Sequence, residues 1–195
     1  SLYILDSRHE SDRYGSILRK VNEHEAARLC GIQRNPDERV LHSEATHAAE
    51  VLYHRWKKPV FVTRGARGCL VYDETGLHEV PGIQILRRTD PVGAGDSTLA
   101  GIAATIAAGR SAHTAAEVGN IVAAVTVQKL FQTGTATPDE ILAVGADPDY
   151  GYRPELAEDR RQARYHSDTE IEIVTDLPRG TGFTHAILDH DGTIS

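Results

Sequence analysis

The chain has 195 residues, 40% of them hydrophobic and 25% charged, with 17 Gly and 8 Pro, a globular composition that excludes fibrous, low-complexity and wholly disordered architectures. With 21 Lys and Arg against 28 Asp and Glu the formal charge is -7, so no net field draws the chain onto nucleic acid or anionic lipid, and small-molecule chemistry is expected. Cys30 and Cys69 are the only cysteines and form no Cys-x-x-Cys, no apolar run approaches the roughly 20 residues of a membrane helix, and no leader resembles a signal peptide, all of which predicts a cytoplasmic protein.

Leu2-Tyr3-Ile4-Leu5-Asp6 reads as a short buried strand and residues 17 to 21 as a second. Residues 23 to 30 and about 43 to 57 read as helices, the latter with Ser43 as N-cap. Pro59-Val60-Phe61-Val62-Thr63 is a buried strand. Gly68 to Asp73 and Leu77 to Val80 flank Glu74-Thr75-Gly76, which predicts a hairpin, and Ile83 to Arg88 is one more strand candidate. Two Ala-rich helices follow at about 94 to 109 and 112 to 130, with small residues that permit close packing. Strands alternating with helices argue for a layered α/β domain with parallel strands.

From Gly145 to Ser167 the pattern dissolves into a turn-rich stretch and the charged run Glu158 to Arg164, read as a linker with an exposed helix. Ile171 to Val174 and Phe183 to Asp189 are strand-like again. The predicted organisation is a first domain over 1–144, a linker over 145–167 and the start of a second domain over 168–195. An abrupt start on a strand, the absence of Met and a stop just after another strand suggest a piece excised from a longer protein.

The chemistry concentrates in Asp90-Pro91-Val92-Gly93-Ala94-Gly95-Asp96, directly ahead of a helix-forming run. Gly93 and Gly95 let the backbone bend and approach a ligand, and the amides and dipole of the new helix favour phosphate oxygens. Asp96, in the first turn, would be repelled by a phosphate, so its presence suggests a base that takes a proton from an attacking hydroxyl. Taken alone, such a stretch also fits a plain Gly-rich turn with Asp96 at a helix start. The whole heptapeptide, however, resembles the C-terminal signature of the ribokinase-like, or phosphofructokinase-B type, carbohydrate kinases. That resemblance implies a three-layer α/β ribokinase-like fold, Asp96 as catalytic base, the Gly93-Ala94-Gly95 backbone as anion hole, and Asp90 near a monovalent cation such as K+.

Further matches follow in order. Asn22-Glu23-His24-Glu25 looks like the family's Asn-x-x-Glu motif, so Asn22 and Glu25 are expected to help place Mg2+ and the ATP phosphates, although a capped helix start would carry the same residues. Thr63-Arg64-Gly65-Ala66-Arg67-Gly68 looks like its nucleotide loop, which implicates Thr63, Arg64, Gly65 and Gly68, and it also fits a hairpin turn. Asn120 sits where the family carries an Asn near the adenine. The resemblance covers roughly residues 3 to 144, the C-terminal half of such a kinase, so the elements that bind sugar and the β-sheet lid are not located. The chain alone is expected to bind nucleotide poorly and to phosphorylate nothing. Ala123 to Leu130 with Gly134 to Glu140 is similar to the end of the kinase domain of the bifunctional ADP-heptose synthases, which act on heptose 7-phosphate, although Phe131-Gln132-Thr133 departs from their shorter link.

Asp189-His190-Asp191-Gly192-Thr193, at the end of an apolar strand, places two carboxylates two residues apart, the first suited to nucleophile and metal ligand, the second to acid-base work and metal binding. It looks like the first motif of the haloacid dehalogenase-like phosphatases, which implies Mg2+ between Asp189 and Asp191 and a truncated Rossmann-like second domain. The expected function is ATP-dependent phosphorylation of a sugar or sugar phosphate by the longer protein. The alternative is a sugar-phosphate phosphatase with a nucleotide-sensing kinase-like domain. An uncovered sheet edge also leaves room for a homodimer. His42, His47 and His54 are read as a solvated helix face, and Trp56 as closing its end.

Overall fold

The computed structural model of the chain describes residues 3–7, 11–15, 17–35, 37–83, 85, 88–131 and 135–145. Among the described residues five strands and five α-helices follow one another: β1 (Ile4–Asp6), β2 (Leu18–Asn22), α1 (Glu23–Leu29), α2 (His42–Trp56), β3 (Val60–Thr63), β4 (Cys69–Asp73), β5 (Gly76–Val80), α3 (Ala94–Ala107), α4 (Ala112–Thr126) and α5 (Pro138–Gly145). The sheet order is β1-β2-β3-β4-β5. The first three strands are mutually parallel, and β3–β4 and β4–β5 pair antiparallel, so the sheet is mixed and the expected hairpin over Glu74-Thr75-Gly76 is present.

Period-two alternation sorts the core into two layers. Val60, Val62 and Leu70 pack with Ala45, Ala49 and Leu52 of α2 on one face, while Phe61, Cys69 and Val71 pack with Ile102 of α3 and Ala115 and Ala116 of α4 on the other. Helices thus cover both faces of the sheet, the three-layer α/β arrangement expected. At the far end of β2 the buried Arg19 donates to the carbonyls of Ser11 at 2.6 Å and Ile17 at 2.9 Å, and to that of Tyr14. Its guanidinium lies 4.3 Å from the Trp56 ring centroid, and Trp56 Nε1 donates to Asp12 at 2.7 Å, which fixes the β1–β2 connection to the end of α2.

Local differences from the sequence reading have local causes. The N-cap of α2 is Leu41 instead of Ser43, because the Glu44 carboxylate accepts from the Leu41 amide at 3.0 Å and so starts the helix at His42. Ile83 makes only an isolated bridge, and no strand is formed by the described residues of 83 to 88. The helix expected over 112 to 130 ends at Thr126, where Gln128 Nε2 donates to the Ala124 carbonyl. α5 went unpredicted, although Thr137-Pro138-Asp139-Glu140 is a capping sequence with Pro in the first turn. The Thr137 amide donates to Glu140 Oε2 at 2.8 Å and the Glu140 amide to Thr137 Oγ1 at 3.3 Å. The expected linker beyond Gly145, the second domain, and Asp189 and Asp191 with it, lie outside the described residues. Among the described residues no helix is long and apolar enough to cross a membrane.

Candidate nucleotide and phosphoryl-transfer site

Parallel strands bring their carboxyl ends, and the loops that follow them, to one edge of a sheet, where ligands of such folds bind. Here Asp6 lies opposite Lys20, and Asn22 opposite Thr63. The antiparallel pairings Thr63 with Cys69 and Cys69 with Val80 carry the start of β4 and the end of β5 to the same edge.

Asn22 is the N-cap of α1 and forms a reciprocal capping box with Glu25: the Glu25 amide donates to Asn22 Oδ1 at 2.8 Å, and the Asn22 amide donates to Glu25 Oε2 at 2.9 Å. The capping reading of this motif holds, and the box fixes the two side chains at the sheet edge while engaging one oxygen of each.

The 63–68 loop is fastened from three sides. Arg64, with its side chain fully buried, pairs with Glu79 of β5 and reaches His42 Nδ1 at 2.8 Å. A guanidinium only donates, so Nδ1 accepts and the ring proton sits on Nε2, 3.7 Å from Glu79 Oε2. Arg67 pairs with Glu23, which joins this loop to the Asn22-to-Glu25 turn. Gly68 has φ +89, and a Cβ there would lie 2.1 Å from the Val80 carbonyl oxygen, so the loop lies directly on residues 80–82. Asn120 Nδ2, from the opposite layer, donates to the Pro81 carbonyl at 3.0 Å. The amide of Asn120 and the guanidinium of Arg64 thus act inside the protein, and the loop backbone is the part presented outward. His42, read as solvated, is engaged here.

Asp90 starts the Gly-rich stretch. Its amide donates to the Val127 carbonyl at 2.7 Å, which ties the loop to the end of α4, and Asp90 Oδ1 accepts from the Val92 amide at 3.0 Å. Gly93 is the N-cap of α3 in the left-handed region at φ 81. The amides of Gly95 and Asp96 fall in the first turn, where a helix has no internal acceptors. The Asp96 carboxylate is exposed and makes no hydrogen bond or ion pair among the described residues.

One residue at this site escaped the sequence reading. Lys20, on β2 and only 6% exposed, places its ammonium 2.6 Å from Asp6 Oδ2. A Cβ on Gly95 would lie 3.1 Å from that same Nζ. Lys20 therefore connects the strand leading into Asn22 with the Gly-rich loop. The available signal was the Arg19-Lys20 pair inside an otherwise apolar strand. Among the described residues no three His, Cys, Asp or Glu side chains cluster to hold a metal.

This fold, with a Gly-rich loop opening a helix at the carboxyl edge, defines a class. The chain belongs to the pfkB family of carbohydrate kinases, whose signature matches residues 15–140. It is 35% identical over 124 residues to the bifunctional protein HldE of Azorhizobium caulinodans, covering 63% of this chain and 24% of that protein. It is 36% identical over 73 residues to inositol 3-kinase of Arabidopsis thaliana, covering 37% of this chain and 20% of that one. Phosphofructokinase-2 of Escherichia coli in complex with potassium superposes with a TM-score of 0.57 at 24% identity, over 68% of this chain and 41% of that chain. Ribokinase of Thermotoga maritima gives 0.54 at 23%, over 65% and 41%. These structural likenesses are of fold alone. The chain spans about a quarter or less of the length of these curated relatives.

Proposed function

We propose that this chain is the nucleotide-side part of a kinase that transfers the terminal phosphoryl group of ATP to a hydroxyl of a sugar or sugar phosphate. The observation that carries the reading is the exposed, unengaged carboxylate of Asp96 in the first turn behind Gly93-Ala94-Gly95, at the sheet edge where Asn22 and Glu25 are also held. Asp96 accepts the proton of the acceptor hydroxyl, and the first-turn amides of α3 face the charge on the phosphoryl group. Asn22 and Glu25, already rigid, orient Mg2+ and its waters. ATP supplies the phosphoryl group. The 63–68 loop and Asn120 shape the nucleotide side through backbone and packing.

The likeness of residues 123–140 to the ADP-heptose synthases, together with the HldE match, supports a heptose phosphate as acceptor. Asp90, tied to the end of α4, supports a monovalent cation site beside the loop. The Asp189-to-Thr193 stretch supports a haloacid dehalogenase-like domain beginning there, and that proposal rests on the sequence only.

Asp96→Asn tests the central role. In the longer protein carrying these residues, ADP release with a panel of sugar phosphates is expected to fall by about a hundredfold or more with ATP affinity kept. Appreciable turnover by Asp96→Asn removes Asp96 from the role of base.

A further inference from the structure

We propose that Lys20 is the protein's own counter-ion for the distal phosphates of the nucleotide, stored against Asp6 until those phosphates arrive. The inference rests on the reading of residues 90–96 as the phosphoryl loop and names a residue for which that reading has no role.

The first argument is location. On β2, Val21 faces the α1–α2 layer, so Lys20 faces the other, opposite Phe61, whose side chain is buried against α3 and α4. An ammonium on that face is removed from water by its surroundings. Taking an ammonium and a carboxylate out of water costs several kcal/mol per ion, and an apolar pair of similar volume is commonly as stable or more so. Stability alone therefore does not call for Lys20 and Asp6 here. Arg19, one residue earlier, offers the contrast, because its donors reach three backbone carbonyls and lock a loop. Lys20 has three N–H donors, and its one hydrogen bond among the described residues goes to a carboxylate that is itself partly open to solvent, at 22% side-chain exposure.

The second argument is the reason for glycine at position 95. Gly93 needs its left-handed φ of 81. Gly95 does not, since it lies inside α3 with no positive φ, where glycine weakens a helix relative to alanine. What its missing Cβ provides is room, because a Cβ would come within 3.1 Å of Lys20 Nζ. The loop is cut away where the ammonium approaches it.

The third argument is charge. The N-terminus of the 14-residue α3 carries the positive end of the helix dipole, and Lys20 adds a full positive charge beside it. Without a ligand Asp6 offsets that charge. A polyphosphate is the stronger acceptor, with more charge and more oxygens, and the flexible stem of a lysine lets the ammonium turn from Asp6 to it.

The test is calorimetric titration of Mg-ATP and of AMP, at up to millimolar ligand, into the 195-residue chain and three variants, each checked by thermal melting. Lys20→Met is expected to weaken Mg-ATP about tenfold or more while leaving AMP unchanged. Asp6→Asn, which frees the ammonium, is expected to bind Mg-ATP as tightly as wild type or tighter. The double variant Asp6→Asn/Lys20→Met leaves no buried lone charge, so it folds even where Lys20→Met does not, and it is expected to lose Mg-ATP affinity as Lys20→Met does. Equal weakening in Asp6→Asn and Lys20→Met makes the pair structural and overturns the inference with the kinase reading intact, as does unchanged Mg-ATP binding by the double variant. If wild type binds neither nucleotide, the proposed nucleotide site itself falls, and the inference with it.

Discussion

Single residues at the sheet edge carry packing roles beside the proposed chemistry. Asn22 caps α1 through Oδ1 and is proposed to help orient Mg2+ as well. Its two duties separate under substitution: Asn22→Ala is expected to lower stability by about 1 kcal/mol, whereas Asn22→Ser, a comparable cap, restores most of it. Chemical denaturation of the two variants measures this, and a Ser variant that stays stable yet binds Mg-ATP weakly assigns the second duty to the amide side chain. Gly95→Ala makes the complementary case. Alanine suits a helix better, so the variant is expected to melt no lower than wild type, yet its methyl pushes on the Lys20 ammonium and should weaken Mg-ATP binding. Cys69 is chemically quiet, because full burial pushes its thiol up to about 12.

At the scale of elements, α3 and α4 meet through glycine. A Cβ on Gly101 would come 2.9 Å from Gly119 Cα, and one on Gly119 would come 3.0 Å from the Thr98 carbonyl oxygen. The close approach sets the position of the Gly-rich loop at the head of α3 relative to Asp90 and Val127. Gly119→Leu is expected to destabilise by about 1–3 kcal/mol through overpacking, read as a lower melting temperature. α5 is held electrostatically at its start. The Thr137 amide and the Lys129 ammonium, the latter 2.9 Å away, hold the Glu140 carboxyl down to about 2, against an ordinary 4.5. A depressed carboxyl contributes stability that is complete above its unfolded value and lost as pH falls through the folded one. α5 is therefore expected to loosen between about pH 4.5 and about pH 2. Amide exchange at residues 138–145 checks it, and Glu140→Gln should remove most of that dependence.

For the whole molecule, β3 is the hinge of the two cores, with Val60 and Val62 in one layer and Phe61 in the other, all fully buried. Phe61→Ala is expected to cost about 3–5 kcal/mol, a large part of the about 5–15 kcal/mol that holds an ordinary domain together. The denaturant midpoint reads the loss. Because Phe61 also stands opposite Lys20 in the sheet, the same change should disturb the proposed nucleotide edge, which links the fold's core to the proposed chemistry.

Strand and helix order through α4, apart from the strand expected at 83–88, and the hairpin were legible in the sequence, because alternation and small-residue runs are local patterns. Local pattern also carried the family. The site's inner partners were not legible. Arg64 with Glu79 and His42, Arg67 with Glu23, Asn120 with the Pro81 carbonyl, and Lys20 between Asp6 and Gly95 are pairings across strands and layers, formed by chain segments far apart in sequence. The ends of α2 and α5 depended on Glu44 and Glu140 carboxylates accepting backbone amides, a choice settled by competing caps. By itself the sequence determined most of the elements that form and the loop proposed to carry the chemistry, since both are read from periodicity and backbone freedom. Only the tertiary structure decided which charges meet there, because burial and distance exist only once the layers have packed.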